Sequence, residues 1–204
     1  MKKTCHPERR EGPGRVWGTR NVIRAALSPG SLATLGMTLL IGCSFFSKTK
    51  NTIYTLDRVP GTVVAARGTP IAINSIELPP GLDRKEIAVR KPNNQLDVRG
   101  TELWSSTLSD QVLHTLAFDL ADRLPAGMMI LPGDTKPASA HAIDVVFEEL
   151  AAGPDSKVTI DARIGARTEH IEVPISSLDS ANVASGTSQA LAQLADRIVA
   201  TMGR

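Results

Sequence analysis

The stretch Trp104–Pro125, WSSTLSDQVLHTLAFDLADRLP, decides the fold, because the sequence on either side of it consists of strand-like runs. Ser105 or Ser106 can cap a helix here, and Pro125 ends it. The spacing of its apolar residues predicts an amphipathic helix. They recur at every fourth position, with two more widening the stripe: Leu108, Val112, Leu116, Leu120 and Leu124, then Leu113 and Ala117.

Four short runs before this helix have the apolar character and the flanking turn residues of strands. Pro79-Pro80-Gly81 ends the second run, because proline cannot donate to a strand ladder and glycine permits a tight turn. Lys91-Pro92-Asn93-Asn94 predicts a hairpin turn between the last two. The four runs are residues 53–56, 71–78, 87–90 and 95–98.

The chain after this helix repeats the order of strands followed by a helix. A short strand at residues 129–131 precedes three alternating runs, 141–150, 158–164 and 171–175, which predict an antiparallel meander. A second helix is predicted from Asp179 or Ser180 to Met202, with Gly186 weakening it by about 1 kcal/mol relative to alanine. The order predicts a single α+β domain, a mostly antiparallel sheet with two long helices packed on one face.

A different signal lies upstream, in Leu39-Leu40-Ile41-Gly42-Cys43-Ser44, which resembles the lipobox of bacterial lipoprotein precursors. The apolar run before Cys43 is shorter than the ~20 residues that span a bilayer, and Arg20 and Arg24 precede it, as in a signal peptide. The resemblance implies a diacylglycerol on the Cys43 thiol, cleavage between Gly42 and Cys43, and an N-acyl chain on the new terminus. The alternative is a buried cysteine at the end of a core helix.

These features divide the chain into three parts. Residues 1–42 are the predicted lipoprotein signal peptide, 43–52 a lipidated tether and 53–204 the folded domain. The tether can reach roughly 30 Å at ~3.3 Å per residue. Residues 5–13 resemble a translated intergenic DNA repeat, which predicts a true start nearer Val22; a long genuine amino-terminal region is the alternative.

The basic balance of the full sequence comes from its leader. Seven of the 23 basic residues and two of the 21 acidic ones lie before Cys43, so the mature chain has a formal charge of −3. This charge argues against a nucleic-acid partner. With Cys5 in the leader and Cys43 acylated, no cysteine pair remains for a disulfide.

No motif in the sequence demands catalysis or a metal. Residues 186–190, GTSQA, approach a nucleophile elbow but lack its second glycine and lie inside the predicted helix. His114, His141 and His170 lack metal-ligand spacing, and residues 132–136 lack the spacing of a phosphate loop. We therefore predict no catalytic residue, no metal site and no cofactor other than the lipid on Cys43.

Several segments together resemble the ABC-type transport auxiliary lipoproteins, the group of the paraquat-inducible operon lipoprotein C. Relatives carry a basic residue and then Ala-Glu around the tryptophan, whereas this chain has Leu103-Trp104-Ser105-Ser106, so any contact those residues make in relatives is in doubt here. The segments are Tyr54-Thr55-Leu56, Leu78-Pro79-Pro80-Gly81-Leu82-Asp83-Arg84, Ile87-Ala88-Val89-Arg90, Asn94-Gln95-Leu96, Trp104 and the closing 190–195 helix, ALAQLA.

The resemblance implies an accessory role without catalysis. Its partners would be an ABC permease and ATPase and a mammalian-cell-entry (MCE) domain protein, and the chain would form a homo-oligomer. It would serve intermembrane lipid transport and envelope integrity. Ser44 after the lipidated cysteine resembles the sorting signal for the outer membrane, on its periplasmic face.

One loop is the candidate docking surface for the bridging partner. Its members are Pro79, Pro80, Gly81, Leu82, Asp83 and Arg84. The alternative is a rigid turn in which Asp83 and Arg84 are satisfied locally. Trp104 is assigned to the core in preference to an interface, because it opens the apolar helix.

Two other functions compete with the scaffold. A periplasmic lipid- or solute-binding module would need an internal apolar cavity between sheet and helices. A periplasmic hydrolase would need a convergent nucleophile and base, which the sequence does not provide.

Overall fold

The computed structural model describes residues 50–202. Gly42, Cys43 and most of the tether lie outside the described residues, as does the predicted signal peptide. Eight strands and two helices follow one another in that range: β1 (Thr52–Tyr54), β2 (Ile71–Glu77), β3 (Glu86–Lys91), β4 (Gln95–Trp104), α1 (Leu108–Arg123), β5 (Met129–Ile130), β6 (His141–Gly153), β7 (Lys157–Ile164), β8 (Arg167–Pro174) and α2 (Ser180–Met202).

The α+β class, the single domain and the order of strands and helices are confirmed. The strands form two mixed sheets, one of three strands in the order β1-β4-β3 and one of five in the order β5-β2-β6-β7-β8. The predicted hairpin β3–β4 and the meander β6–β7–β8 are antiparallel. Strand β2 instead pairs in parallel with β5 and β6, with the hairpin and α1 forming the long crossover that parallel pairing requires.

The core lies between the two helices and the five-stranded sheet. The helices contact each other, α1 contacts β2 and β5, and α2 contacts β7 and β8, so both helices cover one face. The leucine-rich stripe predicted for α1 is buried apart from half-buried Leu113. The inward residues of the meander are buried too, apart from Ile143 and Ile164, which are partly buried. The fully buried side chains include Val112, Leu116, Leu120, Val145, Val158, Ile160, Leu191 and Leu194.

The start of α1 differs from the prediction. Strand β4 continues to Trp104, and the N-cap position belongs to Thr107, whose side chain makes no capping hydrogen bond. The prediction that Ser105 or Ser106 caps the helix is therefore wrong. The capping carboxylate comes from another part of the chain, Asp83, whose Oδ1 accepts from the Ser109 amide at 3.1 Å.

The start of α2 agrees with the prediction. The carboxylate of Asp179 accepts a hydrogen bond from the Asn182 amide at 2.8 Å, as an N-cap residue does. Further along, Gly186 lies at a close approach between the helix and residues of the sheet layer. A Cβ atom built there would be 2.4 Å from Ile175 Cγ2 and 2.9 Å from Val158 Cγ2. The residue that weakens the helix thus permits its packing.

None of the helices within residues 50–202 combines the length and apolar character needed to cross a bilayer.

Candidate functional site

The candidate docking loop, residues 79–84, packs against the N-terminal end of α1. Its turn is closed by hydrogen bonds from the Leu82 amide to the Pro79 carbonyl at 3.1 Å and from the Arg84 amide to the Leu82 carbonyl at 2.9 Å. Leu82 is buried, whereas Pro80, Gly81 and Asp83 are exposed. The loop is therefore held from below by one apolar side chain and presents its apex to solvent.

The two charged residues of this loop differ in their contacts. Asp83 is satisfied locally, because its carboxylate caps α1. The Arg84 carbonyl also accepts from the Leu108 amide at 3.3 Å, which fixes the backbone. The Arg84 side chain is half-buried, and its Nε has no hydrogen-bond partner among the residues that the structure describes. The rigid-turn alternative thus holds for Asp83, whose carboxylate has a local partner. It does not hold for Arg84, whose Nε has no hydrogen-bond partner among the described residues.

Trp104 lies beneath the loop and belongs to the core. It is 5% exposed and forms part of the main apolar cluster. Its amide donates to the Lys85 carbonyl at 2.6 Å, and the next amide, that of Ser105, donates to the Tyr54 carbonyl at 2.9 Å. These bonds join the loop, the end of β4 and the end of β1 at one end of the molecule.

A second polar site lies between the helices, where residues 55–66, here called the connecting segment, cross α1 and α2. The segment has no regular structure, so its backbone groups need side-chain partners. The Leu56 amide donates to Gln111 Oε1 at 2.8 Å, and the Asp57 amide donates to Ser188 Oγ at 2.9 Å. The Val59 amide donates to Asp119 Oδ1 at 2.8 Å. Helix side chains thus hold the segment in place.

Arg123 fixes the other end of the connecting segment. Its buried guanidinium donates through Nη1 to the Val59 carbonyl at 3.0 Å and through Nε to Asp196 Oδ1 at 2.5 Å. Gly61 passes so close that a Cβ atom there would be 2.4 Å from Arg123 Cζ. The Val64 amide then donates to the Arg123 carbonyl at 2.8 Å. One arginine therefore ties together the segment, α1 and α2.

Burial changes the chemistry of Asp119. Its removal from water raises the pKa of its carboxyl group to about 6, although the Val59 amide and the Arg123 and Arg58 guanidinium groups act in the opposite direction. Its second oxygen, Oδ2, is buried without a hydrogen-bond partner in the described part of the chain. The carboxyl group therefore titrates closer to neutrality than an ordinary aspartate.

The sequence alone does not reveal this polar site. Gln111, Thr115, Asp119 and Arg123 recur at every fourth position, next to the leucine stripe, and all four are buried. A polar stripe at helical spacing ordinarily faces water, so the spacing does not show that a backbone segment covers it.

The residues examined for catalysis and metal binding have other partners. The Ser188 hydroxyl is buried and donates to the Ala184 carbonyl at 2.9 Å. His170 lies on the solvent face of the meander, where its Nδ1 is 2.6 Å from Asp161 Oδ1, and this contact raises the pKa of His170. Within residues 50–202, no three histidine, cysteine or acidic side chains are placed to hold a metal ion together.

Comparison with known proteins gives one family and one fold. A family model described as the ABC-type transport auxiliary lipoprotein component matches residues 54–199. Among curated proteins, none matches the chain. A crystal structure of an uncharacterised protein superposes with a TM-score of 0.61 at 16% identity, covering 74% of this chain and 98% of that one.

A second crystal structure, of a Xanthomonas campestris protein assigned to the family model DUF330, superposes with a TM-score of 0.54 at 19% identity. It covers 72% of this chain and 92% of its own. At these identities, the similarity to both structures supports the fold and carries no information on function. The sequence match carries the family assignment.

Proposed function

This chain belongs to the ABC-type transport auxiliary lipoprotein components, and from that membership we propose that it is a non-catalytic docking subunit of an intermembrane lipid transport system. Its partners in this proposal are an ABC permease with its ATPase and an MCE-domain protein. The role supports envelope integrity. The family description supports the auxiliary role, and the docking loop supplies the surface.

The anchor in this proposal is the lipid on Cys43. Three acyl chains make attachment effectively permanent, since each buried methylene contributes about 0.8 kcal/mol. Ser44 directs the protein to the outer membrane, on its periplasmic face. The first strand begins at Thr52, so a short tether separates the anchor from the folded domain.

The single observation that carries the docking proposal is the half-buried guanidinium of Arg84 at the end of a loop that is already rigid. Its Nε is buried and has no hydrogen-bond partner among the described residues, so a partner carboxylate or carbonyl accepts from the terminal amino groups of the guanidinium. Because the Asp83 cap and buried Leu82 already fix the loop, binding costs little conformational entropy. The exposed Pro80-Gly81 apex adds a surface without flexible side chains.

Site-specific photo-crosslinking in cells tests the docking surface. A benzoylphenylalanine residue is placed at Pro80, and a control at Lys136, an exposed position in the loop between β5 and β6. We expect crosslinks to an MCE-domain or permease subunit from position 80 and none from position 136. Equal crosslinking from both positions, or none from position 80, contradicts the proposal.

A charge-matched pair of variants tests the arginine itself. Arg84→Gln should weaken recovery of the partner about tenfold, the equivalent of about 1.4 kcal/mol. Lys85→Gln removes the same charge from the exposed neighbouring residue and should leave recovery unchanged. If both variants behave alike, only general electrostatic attraction is involved and the specific role of Arg84 is wrong.

The anchor and its sorting are tested separately. Cells fed radiolabelled palmitate should label the native protein and not Cys43→Ala, and Ser44→Asp should move the labelled protein to the inner membrane. Label that persists in Cys43→Ala refutes the anchor. The proposed homo-oligomer is tested by the mass of the detergent-extracted protein, which should exceed that of one chain.

The lipid-binding alternative places its ligand between the sheet and the helices. The centre of that interface is filled by side chains from both layers, among them Val145, Phe147, Ile160 and Leu191, so it does not enclose a whole ligand. The docking role accordingly has the stronger support.

A further inference from the structure

An apolar cleft lies at the edge of the sheet–helix interface, where the last turn of α2 meets the five-stranded sheet. Its volume is about 200 Å³. Ile143, Ile164 and Met202 stay only partly buried because no described element covers them. The floor is aliphatic, with contributions from three strands and one helix: Ile71, Ile143, Ile164, Ile198 and Met202.

The cleft and the docking loop lie at opposite ends of the molecule. Strand β6 begins at the cleft with His141, and its later residues, from Leu150 onward, lie beside Leu82 and Trp104 under the loop. Nine residues of strand separate these points, a distance of about 30 Å. A ligand in the cleft would therefore leave the loop free.

Two arginines flank this aliphatic floor. Arg167 and Arg197 are 59% and 57% exposed at their side chains, and the carboxylate of Glu169 lies between them. Glu169 contacts Arg167 at 3.1 Å and Arg197 at 3.3 Å. One carboxylate balances one of two guanidinium groups, so a single positive charge remains beside the apolar surface.

We propose that this cleft binds the end of an acyl chain whose anionic headgroup lies against Arg167 and Arg197. The volume is below the ~300–1,000 Å³ of sites that enclose a whole small molecule, so it accommodates part of a flexible chain. The surplus positive charge complements one carboxylate or phosphate. An adjoining cleft shares His141, Ile143 and Ile164 with this one and is also lined by Asp144, whose negative charge favours placing an anionic headgroup on the arginine side.

A simpler explanation is that the arginine stems cover the aliphatic floor and Glu169 satisfies their charges. The two explanations differ in what they predict for headgroup charge. An acyl-chain site binds an anionic amphiphile more strongly than a neutral one of equal length. If the arginine stems cover the floor, both amphiphiles bind weakly and to the same extent.

Photo-crosslinking of the full lipoprotein in lipid nanodiscs distinguishes them. The probes are a diazirine-bearing palmitic acid, its lysophosphatidic acid counterpart and the corresponding neutral alcohol, with adducts located by mass spectrometry. We expect adducts within residues 164–169 or 197–202 from both anionic probes, and about fivefold less from the alcohol, as for the loss of one partly exposed charge contact. If one anionic probe labels the cleft more strongly than the other, that preference shows whether the site favours a carboxylate or a phosphate headgroup.

Three variants complete the test. Ile164→Glu should abolish the adducts, Arg197→Gln should reduce them about fivefold, and Arg163→Gln should not change them. Arg163 is the control because its side chain is 48% exposed on the same strand as Ile164 and contacts Glu148. Arg197→Gln keeps the test valid if Ile164→Glu fails to fold.

The proposal is wrong if the adducts lie elsewhere in the chain. It is also wrong if the neutral alcohol labels the cleft as strongly as the anionic probes do and Arg197→Gln is labelled as strongly as the native protein. This site does not depend on the docking role. We therefore expect Arg84→Gln to leave the lipid adducts in the cleft unchanged. Crosslinks from the cleft to a protein in place of lipid would identify it as a peptide-binding groove and would also overturn it.

Discussion

Replacing Gly186 with alanine measures how closely α2 approaches the sheet, and two effects of opposite sign compete. Alanine is favoured over glycine inside a helix by about 1 kcal/mol. The added Cβ, however, would be 2.4 Å from Ile175 Cγ2 and 2.9 Å from Val158 Cγ2. Carbon atoms attract at about 3.5–4.0 Å, so the helix and sheet would have to separate by roughly 1 Å.

The neighbours of Gly186 decide which effect is larger. Val158 is 0% exposed and β-branched, so it has neither space nor an alternative rotamer to use. Overpacking of this kind costs about 1–3 kcal/mol. After subtracting the helix-propensity gain, we expect Gly186→Ala to lower the free energy of unfolding by about 1 kcal/mol, which lowers Tm by about 2–4 °C.

Urea unfolding of the native protein and four variants provides the assay. Ser185→Ala, one residue earlier on the exposed side of the same helix, should stabilise by up to about 0.5 kcal/mol and reports propensity alone. In a Val158→Ala/Ile175→Ala background both close contacts are removed, so Gly186→Ala should become neutral or stabilising there. Gly186→Ala that stabilises the native background as Ser185→Ala does would refute the close approach.

Three further predictions concern polar contacts. Asp83→Ala removes the cap of α1 and should cost about 1 kcal/mol in urea unfolding. The pKa of Asp119 in the folded protein is about 6, above the ordinary aspartate pKa of 3.8. Asp119 therefore favours the folded state at low pH, and this contribution is lost as pH rises from about 4 to above 6. The unfolding free energy of the native protein relative to Asp119→Asn should therefore fall by about 2–3 kcal/mol between pH 4 and 7.5, and a constant difference would contradict the raised pKa. Arg123→Met should destabilise by about 2–4 kcal/mol and expose the connecting segment to trypsin at Arg58, whereas an unchanged digestion rate would contradict its role.

In helix α1, the sequence predicts the apolar face correctly but does not predict that the polar face is buried. Its leucines recur at helical spacing and pack into the core, so the element and its buried face could be predicted. Its polar residues at the same spacing would ordinarily face water. They are buried because the connecting segment lies over them and its backbone groups form hydrogen bonds with their side chains. These contacts join residues far apart in the sequence, so the local sequence pattern of α1 does not predict them.

The sheets show the same limit. The meander and the β3–β4 hairpin join neighbouring segments, so alternation and turn residues suffice to predict them. Asn93 and Asn94 both adopt positive φ in that hairpin turn, which asparagine tolerates better than most residues. Strand β2 pairs with β6, which lies beyond α1, and its apolar residues alone do not identify this partner.

The loop, the first strand and the connecting segment belong to one mechanical unit. Strand β1 pairs with the end of β4, the loop caps α1, and the connecting segment runs from β1 along α1 to Arg123. Any force on the proposed anchor at Cys43 therefore enters the fold at β1 and reaches both helices through hydrogen bonds to buried side chains. In our proposal, a partner bound at the docking loop leaves the apolar cleft at the other end of β6 open.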